Sequence, residues 1–180
     1  MKYYRSQQQH NKLKSNKHPA FTLIELTIIL AIMMLIAALC IPMIMHHQSA
    51  VTAEAEALRS TLWYLQQHAR AQNKQITLTF NEADNSYTSD LETHKLSRQV
   101  KFGILSDVLG PPSAPHKRLT TAITFSDKKI TINPNGSMQA GTIYLIDVPQ
   151  KFLYAVTVPI AGVAYIRIYH YRNKQWHVYR

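Results

Sequence analysis

Residues 21–45 read FTLIELTIILAIMMLIAALCIPMIM. The last twenty of them, residues 26–45, carry no charged side chain, and twenty residues of α-helix rise about 30 Å, the thickness of the hydrocarbon core of a bilayer. The sequence therefore predicts a membrane-spanning helix. A cleaved secretory signal peptide is also basic and then apolar, but its apolar region is usually shorter, and this stretch lacks a small-x-small cleavage site after Pro42.

The segment before the apolar stretch is basic. Residues 1–20 contain five Lys or Arg residues and no Asp or Glu, so they hold half of the formal net charge of +10. By the positive-inside rule, we expect the N-terminus on the cytoplasmic side and everything after residue 46 on the other side of the membrane. The single cysteine, Cys40, excludes an intrachain disulfide framework and a multi-cysteine metal site.

Glu25 lies at the leading edge of the apolar run, where a carboxylate is costly. An acid in this position indicates a functional group that needs a partner. The alternative is that the Glu25 side chain reaches back to the cytoplasmic headgroups.

Residues 17–26 read KHPAFTLIEL, and this stretch resembles the class III signal of type IV pilins and pseudopilins. The resemblance implies that a prepilin peptidase cuts between Ala20 and Phe21 on the cytoplasmic side and methylates the new amine of Phe21. It also implies that Glu25, the fifth residue after the cut, pairs with the amine of a neighbouring subunit's Phe21 as subunits stack into a filament. Such pairing is chemically sensible because a buried carboxylate and a buried ammonium relieve each other's desolvation. Ala20 stands where the family usually has glycine, so we expect slower cleavage.

The helix is predicted to continue beyond the membrane to about residue 72, with Pro42 as a bend or unwound point. An apolar stripe at alternating spacings of four and three is typical of a helix that lies on a core; it consists of Val51, Ala55, Leu58, Leu62, Leu65 and Ala69. The opposite face is predicted to carry Glu54, Glu56, Arg59, Gln66 and Arg70.

After Asn73 the pattern changes from helical to alternating, which predicts short strands separated by turns. Seven strands are predicted, over residues 75–80, 119–125, 129–133, 141–147, 152–158, 163–171 and 175–179. Residues 84–89 and 110–117 are predicted loops, the second containing three prolines. The predicted fold class is α+β: a long N-terminal helix packed on an all-β, two-sheet head. The predicted division is a cleaved leader (1–20), a transmembrane helix half (21–45), an amphipathic helix half (46–72) and a β-rich head (73–180).

The head resembles the GspH/FimT class, the minor pseudopilins of type II secretion and their type IV pilus counterparts. The stretches that carry the resemblance are INPNG (132–136), GTIYL (141–145) and YAVTV (154–158). That class ends near a G-R-x-R segment on a late strand, and here the corresponding residues 164–167 read AYIR, so only the second arginine, Arg167, is present. Residues 81–118 match no named motif. The resemblance implies a single-pass protein of the bacterial inner membrane with its head on the periplasmic side.

Catalytic motifs are absent from the sequence. It contains no G-x-S-x-G, P-loop, G-x-G-x-x-G or H-E-x-x-H motif, and we expect no enzyme activity, cofactor or metal. His46 and His47 make a poor metal pair because neighbouring helix residues point about 100° apart.

The C-terminal stretch combines cations with aromatic rings, and no acid follows Asp147. Strand alternation predicts one exposed face with Tyr165, Arg167, Tyr169 and Tyr171. Arginine among exposed aromatic rings is typical of a surface that stacks on bases and neutralises phosphates. The candidate nucleic-acid contacts are Tyr165, Arg167, Tyr169, Arg172, Lys174 and Arg180. The alternative is that these tyrosines merely favour a strand with a solvated face.

Two functions follow from these observations. In the first, the chain is a minor pseudopilin of a type II secretion pseudopilus whose helix joins the filament and whose head contacts other minor subunits or secreted cargo. In the second, it is a minor pilin of a type IV pilus that binds DNA for uptake. Neighbouring genes for secretion would favour the first, and pilus or competence genes the second.

Overall fold

The computed structural model describes residues 22–111, 115–160 and 165–179, except for the side chains of residues 38–47. The predicted cleavage site at Ala20 and Phe21, the side chains of Cys40, Pro42, His46 and His47, and Arg180 lie outside the described residues. The chain divides into two compact units, Met1–Cys40 and Ile41–Arg180. A single helix, α1, runs Leu23–Gln72 and contributes to both units.

The described residues of the first unit belong to the start of α1. Every described side chain from residue 22 to residue 37 is exposed, and the large apolar ones range from 44% exposed at Ile29 to 81% at Leu23. Within the part of the chain that the structure describes, no helix is both long and apolar enough to cross a membrane. Within the predicted span, residues 26–45, the side chains of residues 38–45 lie outside the described residues.

In the second unit, the later half of α1 packs on the head through the predicted stripe. All six stripe residues have 0% exposure, which confirms the helical period. The prediction for Gln66 was wrong: this side chain is 2% exposed, because its amide donates to the backbone carbonyl of Gly136 and so has a partner inside the protein.

Nine strands follow α1 among the described residues. They are β1 (Ile76–Asn81), β2 (Ser86–Ser89), β3 (Thr93–Lys95), β4 (Val100–Phe102), β5 (Lys129–Ile132), β6 (Gly141–Asp147), β7 (Leu153–Val158), β8 (Arg167–Arg172) and β9 (Gln175–Val178). They form two sheets, ordered β3-β2-β1-β5 and β4-β6-β7-β8-β9, in which neighbouring strands are antiparallel. The predicted α+β class with a two-sheet head is confirmed.

The predicted strand over residues 119–125 was wrong. Only Ile123 forms a bridge there, to Ile143 of β6. Next to it, Thr124 Oγ1 accepts a hydrogen bond from the backbone N–H of Thr142 at 2.7 Å. This side-chain contact takes the place of a regular ladder bond, which is how threonine competes with secondary structure.

The predicted loop over residues 84–89 was also wrong in its second half, which is β2. The turn before it is closed by the Asn81 side chain, whose Oδ1 accepts from the N–H groups of Ala83 and Asp84, and Asn85 adopts a φ of 49°. Asparagine tolerates this left-handed region and completes an Asx-type turn. Residues 81–118, which matched no motif, thus supply β2, β3 and β4.

Two apolar clusters lie on opposite faces of the five-stranded sheet. The larger cluster joins α1, the four-stranded sheet and one face of the five-stranded sheet. The smaller one contains Val108, Tyr144, Ile146, Leu153, Ala155 and Tyr169, against which Ile104, Leu105 and Leu119 pack. Because both faces are covered, every residue of β7 is buried.

Candidate functional site

The start of α1 carries the first predicted site. The backbone N–H of Thr22 and its hydroxyl both donate to Glu25 Oε2, at 3.0 and 3.1 Å, and Thr22 Oγ1 accepts from the N–H of Glu25 at 3.2 Å. This reciprocal arrangement is a capping box, in which the two side chains satisfy helix donors that would otherwise lack partners. Glu25 therefore has a partner inside its own chain, which the sequence analysis did not consider.

The second predicted site begins at Tyr165 and Arg167. The Arg167 guanidinium carbon lies 4.4 Å from the centre of the Tyr165 ring, and Nη1 donates to the hydroxyl oxygen of Tyr169 at 3.3 Å. Hydrogen bonding to Tyr169, and after it to Tyr165, raises the pKa of Arg167. Tyr165 is 48% exposed, so this stacked pair faces solvent.

The prediction that Tyr169 is exposed on the same face was wrong. Tyr169 is 2% exposed and packs with Tyr144 and Val108 in the smaller cluster. Tyr171 packs against the same cluster. The physical reason is that Ile104, Leu105, Val108 and Leu119 cover this face of the sheet, and a 2.8 Å hydrogen bond from Trp176 Nε1 to the Leu109 carbonyl anchors their segment.

Arg172 and Lys174 lie at the other end of β8. Arg172 lies five residue steps along the strand from Arg167, a distance of about 17 Å. Arg172 pairs with Gln175, and the two residues between them, Asn173 and Lys174, have φ values of 52° and 61°, as in a tight type I′ hairpin turn. Both cations are exposed. The structure therefore separates the predicted contacts into a Tyr165–Arg167 pair and a hairpin tip.

Two aromatic residues on α1, Trp63 and Tyr64, were not predicted from the sequence to belong to a site. They are 60% and 51% exposed, and they line a groove of about 710 Å³ together with Tyr165. Arg59 also lines the groove and pairs with Glu56 at 3.4 Å. The signal was present in the sequence, because Trp63 and Tyr64 stand outside the apolar stripe on a helix whose core face is already complete.

Potential metal ligands, the side chains of His, Cys, Asp and Glu, do not gather into a site of three or more among the described residues. The His46 and His47 side chains lie outside the described residues.

Comparisons with known proteins give one structural likeness. No protein-family model matches the chain, and no curated protein matches it. Among solved structures, the chain is similar to the minor pseudopilin EpsH from the type 2 secretion system of Vibrio cholerae, with a TM-score of 0.46 and 13% sequence identity. The alignment covers 66% of this chain and 94% of that one.

Proposed function

We propose that this chain is a minor pseudopilin-like subunit of a type II secretion pseudopilus. Prepilin peptidase cuts it between Ala20 and Phe21, and Phe21 is N-methylated. Residues 21–45 then hold it in the bacterial inner membrane with the head on the periplasmic side. Its role is assembly with other pilin or pseudopilin subunits and contact with secreted cargo, not enzyme catalysis.

The observation that carries this proposal is the change along α1. Between Leu23 and Ile36 the helix exposes large apolar side chains in every direction, whereas from Val51 to Ala69 it buries one stripe in the head. Water penalises an exposed apolar helix in proportion to its area, so the first half needs lipid or neighbouring helices around it. The basic leader and the KHPAFTLIEL stretch support a filament subunit over a simple membrane anchor.

Processing is tested by N-terminal mass spectrometry of the assembled protein. We expect the mature chain to begin at methylated Phe21, which leaves 15 basic and 10 acidic residues and a formal charge of +5. An intact Met1 leader in the assembled protein would contradict the proposal.

Assembly is tested at Glu25, where the capping box permits a sharp design. Glu25→Gln removes the negative charge, but glutamine also completes a capping box, so the helix start is retained. If the carboxylate pairs with a neighbouring amine, Glu25→Gln should reduce cross-linking to other pilin subunits, whereas Thr22→Ala, which removes the capping hydroxyl and keeps the charge, should assemble. If Glu25→Gln assembles normally, the role of Glu25 is limited to capping the start of the helix.

The second candidate function is DNA binding for uptake through a type IV pilus. The specific observation that favours it is the groove, where Trp63, Tyr64 and Tyr165 offer exposed rings, together with the Arg167 guanidinium that lies over the Tyr165 ring. Aromatic rings stack on unpaired bases of any sequence, and an arginine neutralises phosphate. The burial of Tyr169 removes one ring from the contacts expected from the sequence.

Fluorescence anisotropy with a single-stranded oligonucleotide across a salt series tests this second function on the full chain in detergent micelles. Arg167→Ala should lower the slope of log affinity against log salt by about 0.7, the value for one phosphate contact on a single strand. Arg98→Ala, at an exposed position outside the groove, is the matched control. Equal slopes for the two variants would reject the groove as a DNA site.

A further inference from the structure

His170 of β8 and His177 of β9 stand directly opposite each other in the five-stranded sheet. Their ring centres are 5.4 Å apart and their planes differ by 26°. The N–H of Tyr179 donates to the carbonyl of Ile168, and because hydrogen-bonded pairs alternate along an antiparallel ladder, His170 and His177 also occupy such a pair. The two imidazoles therefore project from one face on adjoining strands held by backbone hydrogen bonds.

The surroundings of this pair are aromatic on one side and open on the other. The rings of Tyr154 and Tyr179 each lie 6.0 Å from the His170 ring, while His177 is exposed. Tyr154 is fixed by Thr52 of α1, whose hydroxyl donates to the Tyr154 hydroxyl oxygen at 2.9 Å. One imidazole is thus held by packing and the other is accessible from solvent.

One ring nitrogen of the pair lacks a partner. His170 Nδ1 is buried and makes no hydrogen bond with any residue that the structure describes. A neutral imidazole has one nitrogen that can accept, and imidazole is the commonest metal ligand among protein side chains.

We propose that His170 and His177 form a two-nitrogen binding site for a divalent transition-metal ion. Imidazole pairs suit Cu²⁺, Ni²⁺ and Zn²⁺, with Cu²⁺ bound most tightly among them, whereas Ca²⁺ and Mg²⁺ require oxygen ligands. Among the described residues no third His, Cys, Asp or Glu joins the pair, so the site is defined by the two imidazoles. The exposed His177 ring can turn about its broad terminal torsion and bring a nitrogen toward an ion bound at His170.

The bound ion would link β8 to β9, the four-residue strand at the edge of the sheet. Arg172 lies two residues along β8 from His170 and so on the same face, where its positive charge opposes the binding of a cation. Replacing that charge with a neutral side chain should therefore tighten the site.

Isothermal titration of the full chain in detergent micelles with CuCl₂ or NiCl₂ tests the proposal. His177→Phe keeps an aromatic ring for stacking and removes one ligand, and we expect it to weaken the tightest binding event by roughly 100-fold, the gain that linking two ligands supplies. His170→Asn should do the same, and Arg172→Gln should tighten binding. His116→Asn, at an exposed histidine outside the sheet, is the control and should leave that event unchanged.

Thermal unfolding with and without metal provides the second readout. Metal should raise the unfolding midpoint of the wild-type chain and of His116→Asn, but not that of His177→Phe, since a ligand stabilises only the state that binds it. A metal-free midpoint for His177→Phe close to wild type shows that the variant is folded. Equal affinity and equal midpoint shifts in wild type and His177→Phe would overturn the proposal.

Discussion

Gln66 is the buried link between α1 and the turn after β5, and Gln66→Met tests that link. The Gln66 amide donates to the Gly136 carbonyl at 2.7 Å, and both residues are buried. Methionine keeps the length of the side chain but cannot donate, so the carbonyl loses its partner. An unsatisfied buried acceptor costs about 1–3 kcal/mol. A loss of about 2 kcal/mol should lower the unfolding midpoint by about 4–8 °C in a chain of this size.

The neighbouring glutamine supplies a matched control. Gln67 is exposed, so Gln67→Met makes the same chemical change without removing a buried hydrogen bond. Its effect should stay within about 0.5 kcal/mol. Urea and thermal unfolding of the full chain in detergent micelles, followed by near-ultraviolet circular dichroism, measures both variants. If Gln66→Met unfolds together with Gln67→Met, the reasoning from burial and hydrogen bonding is refuted.

Three further predictions concern the head. Gly136→Ala should lower the unfolding midpoint, because Gly136 has a φ of 81° and an added Cβ would meet the Arg70 guanidinium; an unchanged thermal melt would contradict this. Burial raises the pKa of Tyr87 from 10.0 to about 12, so this side chain ionises at a lower pH in the unfolded chain than in the folded protein. The stability that Tyr87 contributes below pH 10 is therefore lost as the pH rises toward 12. Tyr87→Phe should flatten that part of the curve of unfolding free energy against pH, and an equally steep curve would rule this out. Trp176→Phe removes the hydrogen bond to the Leu109 carbonyl and should speed amide hydrogen exchange, measured by mass spectrometry, in residues 103–119 while β7 stays protected.

The sequence pattern alone predicts those helices and strands that bury one face against one neighbouring surface. The stripe from Val51 to Ala69 repeats with the helical period, so the helix face that packs on the head was predictable from spacing alone. The late strands were predictable for a similar reason, since β-branched and aromatic runs alternate with turn residues such as Asn135 and Gly136. The exposed apolar start of α1 is likewise a property of composition.

Tertiary structure decided the positions where a distant segment supplies the partner. Gln66 is polar and was predicted to face solvent, but Gly136, 70 residues away, satisfies its amide. Tyr169 lies on the second face of its sheet, and that face is buried because Ile104, Val108 and Leu119 pack over it. The groove beside Trp63 forms because Tyr165, distant in sequence, lies across from it. The sequence period shows which side chains share a face. Whether that face is buried, and which hydrogen-bond partners its side chains have, depends on the segments that the rest of the chain packs over it.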